Sequence, residues 1–308
     1  MSRRVLITGG AGFIGSHLVR HFAGQAEVTV LDDLRSGYER NLAGVPCRFL
    51  RGSILDETAL LAAAEGADEI YHLAAMISVP ESVDRPAECA LLNTEGTRRV
   101  LDAARRGGAR KVVLASSAAI YGDNPTVPKV ETMPPEPKSP YAETKLAGEE
   151  LLEEYRRSHG LGTTSLRFFN VFGPRQDPRS AYAAAVPIFI AKALRGEPIG
   201  IHGDGGQTRD FIHVTDIVGA LAYAGASREM AGTYNVGYGA SQSILGLARE
   251  VIRLTGSRST IEHLPPRAGD VRHSLASTER LLAAGWRPRS SVHAGLAETI
   301  EHYRQLKA

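Results

Sequence analysis

Short apolar runs alternate with stretches of helical period along the first half of the chain. Residues 5–8, 28–31, 47–50, 70–73 and 112–115 are brief, mostly apolar runs, and they predict strands. Residues 13–22, 57–64, 93–106 and 140–159 predict helices; in the third, Val100, Leu101 and Ala104 share one face. Apolar strands alternating with helices make a parallel sheet covered on both sides. After Phe169 glycine and proline interrupt more often, and helical patterns recur at about 186–194, 215–224, 244–254 and 292–303. The pattern predicts an α/β chain with a doubly wound domain over residues 1–169. A smaller α/β lobe follows over 170–308, with the chain crossing between the two. Residues 125–140 hold six of the 16 prolines and predict a loop, because proline removes a backbone donor and restricts the residue before it.

Composition changes this picture little. The 308 residues are 43% hydrophobic and 23% charged with a net charge of +2, a balance too even to argue for a nucleic-acid or membrane-surface partner. Cys47 and Cys89 make no disulfide framework or metal pattern and read as small apolar residues. Residues 1–4 lead straight into an apolar strand, and no apolar run reaches the roughly 18 residues that span a bilayer. The expectation is a cytoplasmic enzyme without a metal.

Thr8-Gly9-Gly10-Ala11-Gly12-Phe13-Ile14-Gly15 stands between the first strand and the first helix. Gly9, Gly12 and Gly15 are spaced three apart. Such a turn lets a diphosphate approach the helix N-terminus, whose free N–H groups and dipole favour anions. The last glycine permits close helix–strand packing. Asp32 ends the next strand, 17 residues after Gly15, where a carboxylate meets the adenosine ribose and repels a 2′-phosphate. NAD is therefore the expected cofactor. Each feature alone reads as a tight turn or an acidic helix cap; their coincidence favours the cofactor site.

Ser139-Pro140-Tyr141-Ala142-Glu143-Thr144-Lys145 opens the long helix, with Ser139 suited to the N-cap and Pro140 to the first position. Tyr141 and Lys145, four apart, share a face. A free phenol, with a pKa near ~10, is a poor base at neutral pH. A neighbouring ammonium and a positive nicotinamide ring favour the phenolate, which can take a hydroxyl proton while a hydride leaves carbon. Ala115-Ser116-Ser117 follows the fifth strand, at the edge where open α/β sheets bind ligands. A serine there can bond the same substrate oxygen. Alone, the Tyr–Lys pair also fits an amphipathic helix surface, and the serines a turn.

Together with His72-Leu73-Ala74-Ala75 and Asn93-Thr94-Glu95-Gly96-Thr97, these motifs resemble those of the extended short-chain dehydrogenase/reductase family, and within it the UDP-hexose 4-epimerases. The likeness covers nearly the whole chain. It implies a Rossmann-type sheet with NAD held by Gly9, Gly12, Phe13, Ile14, Gly15, Asp32, Leu73, Ala74 and Ala75, together with Tyr141 and Lys145. Ser117 and Tyr141 would bracket the sugar O4, while Lys145 holds the nicotinamide ribose. A hydride leaves C4 and returns to the other face of a transient 4-keto sugar.

The same resemblance implies roles in the second lobe. Asn170 would reach the UDP, Arg209 and Arg267 the diphosphate through their planar forks, and Asp270 the uridine ribose. A small Ser274 leaves space for an N-acetyl group, so UDP-glucose/galactose and the N-acetylated pair are the expected substrates. A homodimer paired through the helices at 93–106 and 140–159 is also implied. Gly52-Ser53 departs from the family's usual Gly-Asp and removes the expected adenine-side carboxylate. Ala118 and Ala119 stand where related dehydratases carry an Asp-Glu pair and decarboxylases a glutamate, so epimerisation fits best. A UDP-glucuronate epimerase fits the same residues. A non-catalytic NAD sensor fits poorly with Ser117, Tyr141 and Lys145 all present. His72, His213 and His273 form no metal pattern and read as structural or cleft-lining.

Overall fold

The computed structural model describes residues 3–178, 184–266 and 271–306. Along the first half run β1 (Arg4–Thr8), α1 (Phe13–Phe22), β2 (Glu27–Asp32), β3 (Arg48–Arg51), α2 (Glu57–Ala64), β4 (Glu69–His72), α3 (Val79–Asp84), α4 (Pro86–Ala90), α5 (Gly96–Gly107), β5 (Lys111–Ser117), α6 (Pro140–His159) and β6 (Gly162–Phe168). There follow β7 (Asn170–Phe172), α7 (Ala185–Arg195), β8 (Ile199–His202), β9 (Thr208–His213), α8 (Val214–Ala226), β10 (Gly232–Val236), β11 (Ser241–Ser243), α9 (Ile244–Thr255), β12 (Ile261–Leu264), α10 (Glu279–Ala283) and α11 (Val292–Gln305).

Seven strands form one parallel sheet in the order β10-β6-β5-β4-β1-β2-β3. Alternation along each strand feeds two cores. Val5, Ile7, Tyr71 and Val113 pack on one face with α1 and α8, while Leu6, Ile70 and Leu114 pack on the other with α2, α5 and α6. This is the doubly wound arrangement, and its strand order reverses between β1 and β4, where a crevice opens at the carboxyl ends. β10 pairs with β6 although it comes from the second half, so the chain crosses back into the large sheet. The remaining strands form a three-stranded sheet, β11-β9-β7, and a pair, β12-β8. A third core of Phe172, Ile190, Ile201, Leu247 and Ile300 supports them.

Local chemistry sets the helix that matters most. Ser139 Oγ accepts from the Ala142 N–H at 3.2 Å, Pro140 fills the first turn of α6, and Gly160 ends it in the left-handed conformation (φ 66°). Residues 122–139 form no helix or strand, as their prolines predict. The helix expected over 93–106 differs at its start: Leu91–Glu95 is a π turn leading into α5. That wider turn directs Asn93 inward, where Oδ1 accepts from Met76 N–H (2.7 Å) and Nδ2 donates to Met76 O and Thr144 Oγ1 (3.0 Å each). Cys89 is buried and Cys47 half-buried, both as free thiols. Among the described residues no helix is long and apolar enough to cross a membrane.

Candidate active site

A cavity of about 460 Å³ opens at the switch point. Gly9, Gly12, Phe13, Ile14, Gly15 and Asp32 line its floor; Leu73, Ala74, Ala75, Ser117, Tyr141 and Lys145 also line it. Gly9 adopts φ 72°, which a side chain would strain, and a Cβ there would meet Ala74 N at 2.7 Å. A Cβ on Gly15 would collide with the Gly9 carbonyl and approach Gly10 Cα at 2.7 Å. The first turn of α1 carries no acid and no side-chain cap, which leaves its N–H groups to an anion. This cradle fits a dinucleotide diphosphate. Gly15→Ala is expected to lose about 1–3 kcal/mol of stability by overpacking and to weaken NAD binding; denaturation and an NAD titration measure both.

Asp32 ends β2 with both carboxylate oxygens engaged, accepting from Ala11 N–H and Leu34 N–H at 2.8 Å each. Burial pushes its pKa up and the two backbone donors pull it down. Asp32 lines the cavity, and its carboxylate has lone pairs left to accept from ribose hydroxyls there. Ser53 is turned into its own turn, with Oγ accepting from Leu55 N–H at 3.2 Å, while Gly52 contributes backbone to the cavity wall. His72 is buried between Thr8 Oγ1 (2.8 Å) and Thr97 Oγ1 (3.0 Å), and burial holds its pKa down at about 3, so it serves as a neutral tie between β4 and its neighbours.

Tyr141 and Lys145 reach the cavity from the first turns of α6. Tyr141 N–H donates to Ser82 Oγ (3.1 Å), which fixes the helix start against α3. Burial raises the phenol pKa, and the Ser117 hydroxyl beside it works the other way. Ser117 Oγ also accepts from Ala119 N–H at 3.1 Å, so it caps a short turn as well as facing Tyr141. Lys145 is 6% exposed; its Nζ donates to Ala115 O at 2.8 Å and lies 5.7 Å from the Tyr141 ring centre. Burial brings its pKa down to about 8, opposed by Cys89 and Glu149.

With both groups protonated the phenol accepts nothing; accepting a proton asks for a phenolate beside the Lys145 ammonium. Burial works against both charges of that pair, and a positive nicotinamide ring would favour the phenolate. A rate carried by that phenolate is therefore expected to fall on acidification, which protonates it. Initial rates across the neutral range test this, and a rate that does not fall below neutrality contradicts it.

The residues expected to meet the sugar nucleotide are less gathered. Asn170 lies on β7 and Arg209 on β9, two strands that pair in parallel. Thr208 O accepts from Arg209 (2.9 Å) and from Ser274 N–H (3.1 Å), which brings those two positions together. Asn170, Arg209 and Ser274 are not part of the cavity wall. Arg267 and Asp270 lie outside the described residues.

Other contacts at the site were not assigned from the sequence. Glu149 and Arg167 form an ion pair (2.7 Å; side chains 6% and 5% exposed) behind Ser116, whose Oγ donates to Glu149 at 2.5 Å. Glu149 follows Lys145 by one helical turn, which was a usable signal; its partner on β6 was not. Arg175 lines the cavity, and Tyr38 OH donates to Asp177 Oδ2 at 2.8 Å between two lining loops. Nothing in local sequence announces that pair.

Fold and site define a nicotinamide-dinucleotide protein whose cofactor cavity is lined by Ser117, Tyr141 and Lys145. Residues 5–237 match the NAD dependent epimerase/dehydratase family, and the chain belongs to it. It is 42% identical over 310 residues to the UDP-glucose 4-epimerase of Mycolicibacterium smegmatis, covering 98% of each. The UDP-N-acetylglucosamine 4-epimerase of Methanobrevibacter ruminantium, solved with UDP-N-acetylmuramic acid, superimposes with a TM-score of 0.96 at 36% identity over 99% of both chains. The Thermus thermophilus UDP-glucose 4-epimerase, solved with NAD, gives 0.89 at 39% identity, covering 98% of this chain and 99% of that one.

Proposed function

We propose that this chain is a UDP-hexose 4-epimerase that interconverts UDP-glucose and UDP-galactose, and also the N-acetylated pair. The observation that carries the reading is a minimal site. Ser117, Tyr141 and Lys145 line the cavity, and the turn after Ser117 presents only Ala118 and Ala119. Epimerisation at C4 asks for one proton to leave and return at O4; dehydration asks for further acid–base groups, which these alanines cannot supply. When bound, NAD supplies hydride acceptance and return. The Gly9–Gly15 turn and Asp32 hold it, Lys145 supports the phenolate, Tyr141 takes and restores the O4 proton, and Ser117 orients O4. Starting from UDP-galactose deuterated at C4, the reading predicts UDP-glucose that keeps deuterium at C4. Label lost to water would contradict return of the same hydride.

Breadth toward N-acetylhexosamines rests on Ser274, a small half-buried residue held to Thr208 O. Ser274→Tyr is expected to abolish turnover of UDP-GalNAc and spare UDP-galactose; equal loss of both would sink this role. The reading assigns residues 1–169 mainly to cofactor and chemistry and 170–308 mainly to the sugar nucleotide. It includes a cytoplasmic homodimer. Supporting the dimer, α5 carries outward Arg98 and Arg105 while α6 carries outward Glu143, Glu150 and Glu154, and Val83 and Leu91 stand 60% and 49% exposed nearby. Light scattering tests it.

A further inference from the structure

Two positive features face the same space in the cofactor cavity. One is the uncapped N-terminus of α1. The other is Arg175, which lines the cavity from the loop after β7 and donates from Nε to Ser16 Oγ in the first turn of α1 (3.1 Å). Among the described residues that bond is the only polar contact of its guanidinium, and no carboxylate pairs with it. Glu298 acts on it only from a distance, and Arg20 repels it. Burial brings its pKa down to about 10, as expected of a half-buried cation without a counter-ion. Like charges converge in this way when an anion lies between them.

Its backbone is also held at a cost. Arg175 sits at φ 67°, the left-handed region that favours glycine and asparagine. Neighbours fix that conformation from both sides: His17 Nε2 bonds Pro174 O (2.8 Å), and Tyr303 OH donates to Gln176 O. Across the cavity mouth, Tyr38 OH donates to Asp177 Oδ2 (2.8 Å), joining the loop after β2 to this segment. Tyr38 is in turn held by its N–H to Ala11 O (3.0 Å), inside the glycine turn, and by Arg40 stacked 3.8 Å over its ring. Strain maintained by so many ties marks a functional position.

We propose that Arg175 and the glycine turn bracket the cofactor's diphosphate, and that the Tyr38–Asp177 bond fastens the Arg175 segment over it as a strap that slows NAD release. The inference rests on NAD occupying this cavity. A cofactor restored to its starting state in every turnover has no need to leave, so a strap costs the reaction nothing.

The test measures binding rather than turnover. NAD and adenosine, a probe without the diphosphate, are titrated into cofactor-free wild type, Arg175→Asn and Arg175→Lys, and NAD release is timed in wild type and Tyr38→Phe. Asparagine tolerates the left-handed backbone, so Arg175→Asn removes the charge without adding strain. It should weaken NAD about tenfold or more and adenosine hardly at all, with Arg175→Lys in between. Tyr38→Phe should release NAD several-fold faster. Equal weakening of NAD and adenosine, an unchanged NAD affinity, or an unchanged release rate overturns the strap. Wild type that binds no NAD would instead overturn the cofactor assignment.

Discussion

Tyr141→Phe is expected to slow sugar interconversion by about 10²- to 10⁴-fold, the usual worth of a positioned general acid–base group. The fold should barely notice the change. The backbone of Tyr141 is anchored at both ends: its N–H donates to Ser82 Oγ and its carbonyl accepts from Thr144 Oγ1 at 2.8 Å. Phenylalanine keeps both, keeps the ring beside the Lys145 side chain, and removes the hydroxyl together with its bond to Ser117. The thermal midpoint should therefore stay close to wild type while the rate collapses. Rates measured with UDP-galactose at saturating NAD check this. A loss of less than about tenfold would show that another group carries the proton, and Ser117 would be the next to replace.

The largest stability effect is expected at Glu149. Its carboxylate accepts from Arg167 Nε (2.9 Å) and Nη2 (2.7 Å) and from Ser116 Oγ (2.5 Å), all within the core. Burial opposes charge on Arg167, yet the Glu149 carboxylate outweighs it and holds the guanidinium above the usual arginine range. Glu149→Leu would leave that cation buried with Tyr121 OH (2.9 Å) as its remaining partner. Breaking a buried pair from one side costs about 3–5 kcal/mol. The double variant Glu149→Leu/Arg167→Met removes both charges and should recover most of the loss. Urea denaturation of the two single variants and the double variant measures the cycle. A single-variant loss below about 1 kcal/mol would show that water or rearrangement satisfies Arg167.

The contrast between these two positions shows what could be read in advance. Tyr141 and Lys145 are four apart on one helix, and Ser139 and Pro140 define where that helix begins, so their geometry is local and legible. The glycine turn is legible for the same reason: one loop must approach an anion closely, and only glycine permits it. Arg167 comes 18 residues after Glu149, on another element, and Asp177 lies 139 residues from Tyr38. Only the packed sheet brings such partners together, and no periodicity encodes which strand lies beside which. The π turn at Asn93 was hidden because its neighbours have ordinary helical character; the tie between Asn93 and Met76 distinguishes it, and that tie is tertiary. On the substrate side, Asn170 and Arg209 could be placed on neighbouring strands, but their approach to a ligand depends on the arrangement of a second lobe with few periodic cues.

The most direct test of the account is to incubate the protein with UDP-galactose and a catalytic amount of NAD and to follow the sugar by NMR. The account predicts that UDP-glucose accumulates to equilibrium with no net NADH. A lasting 4-keto product, or no conversion at all with NAD bound, would contradict it.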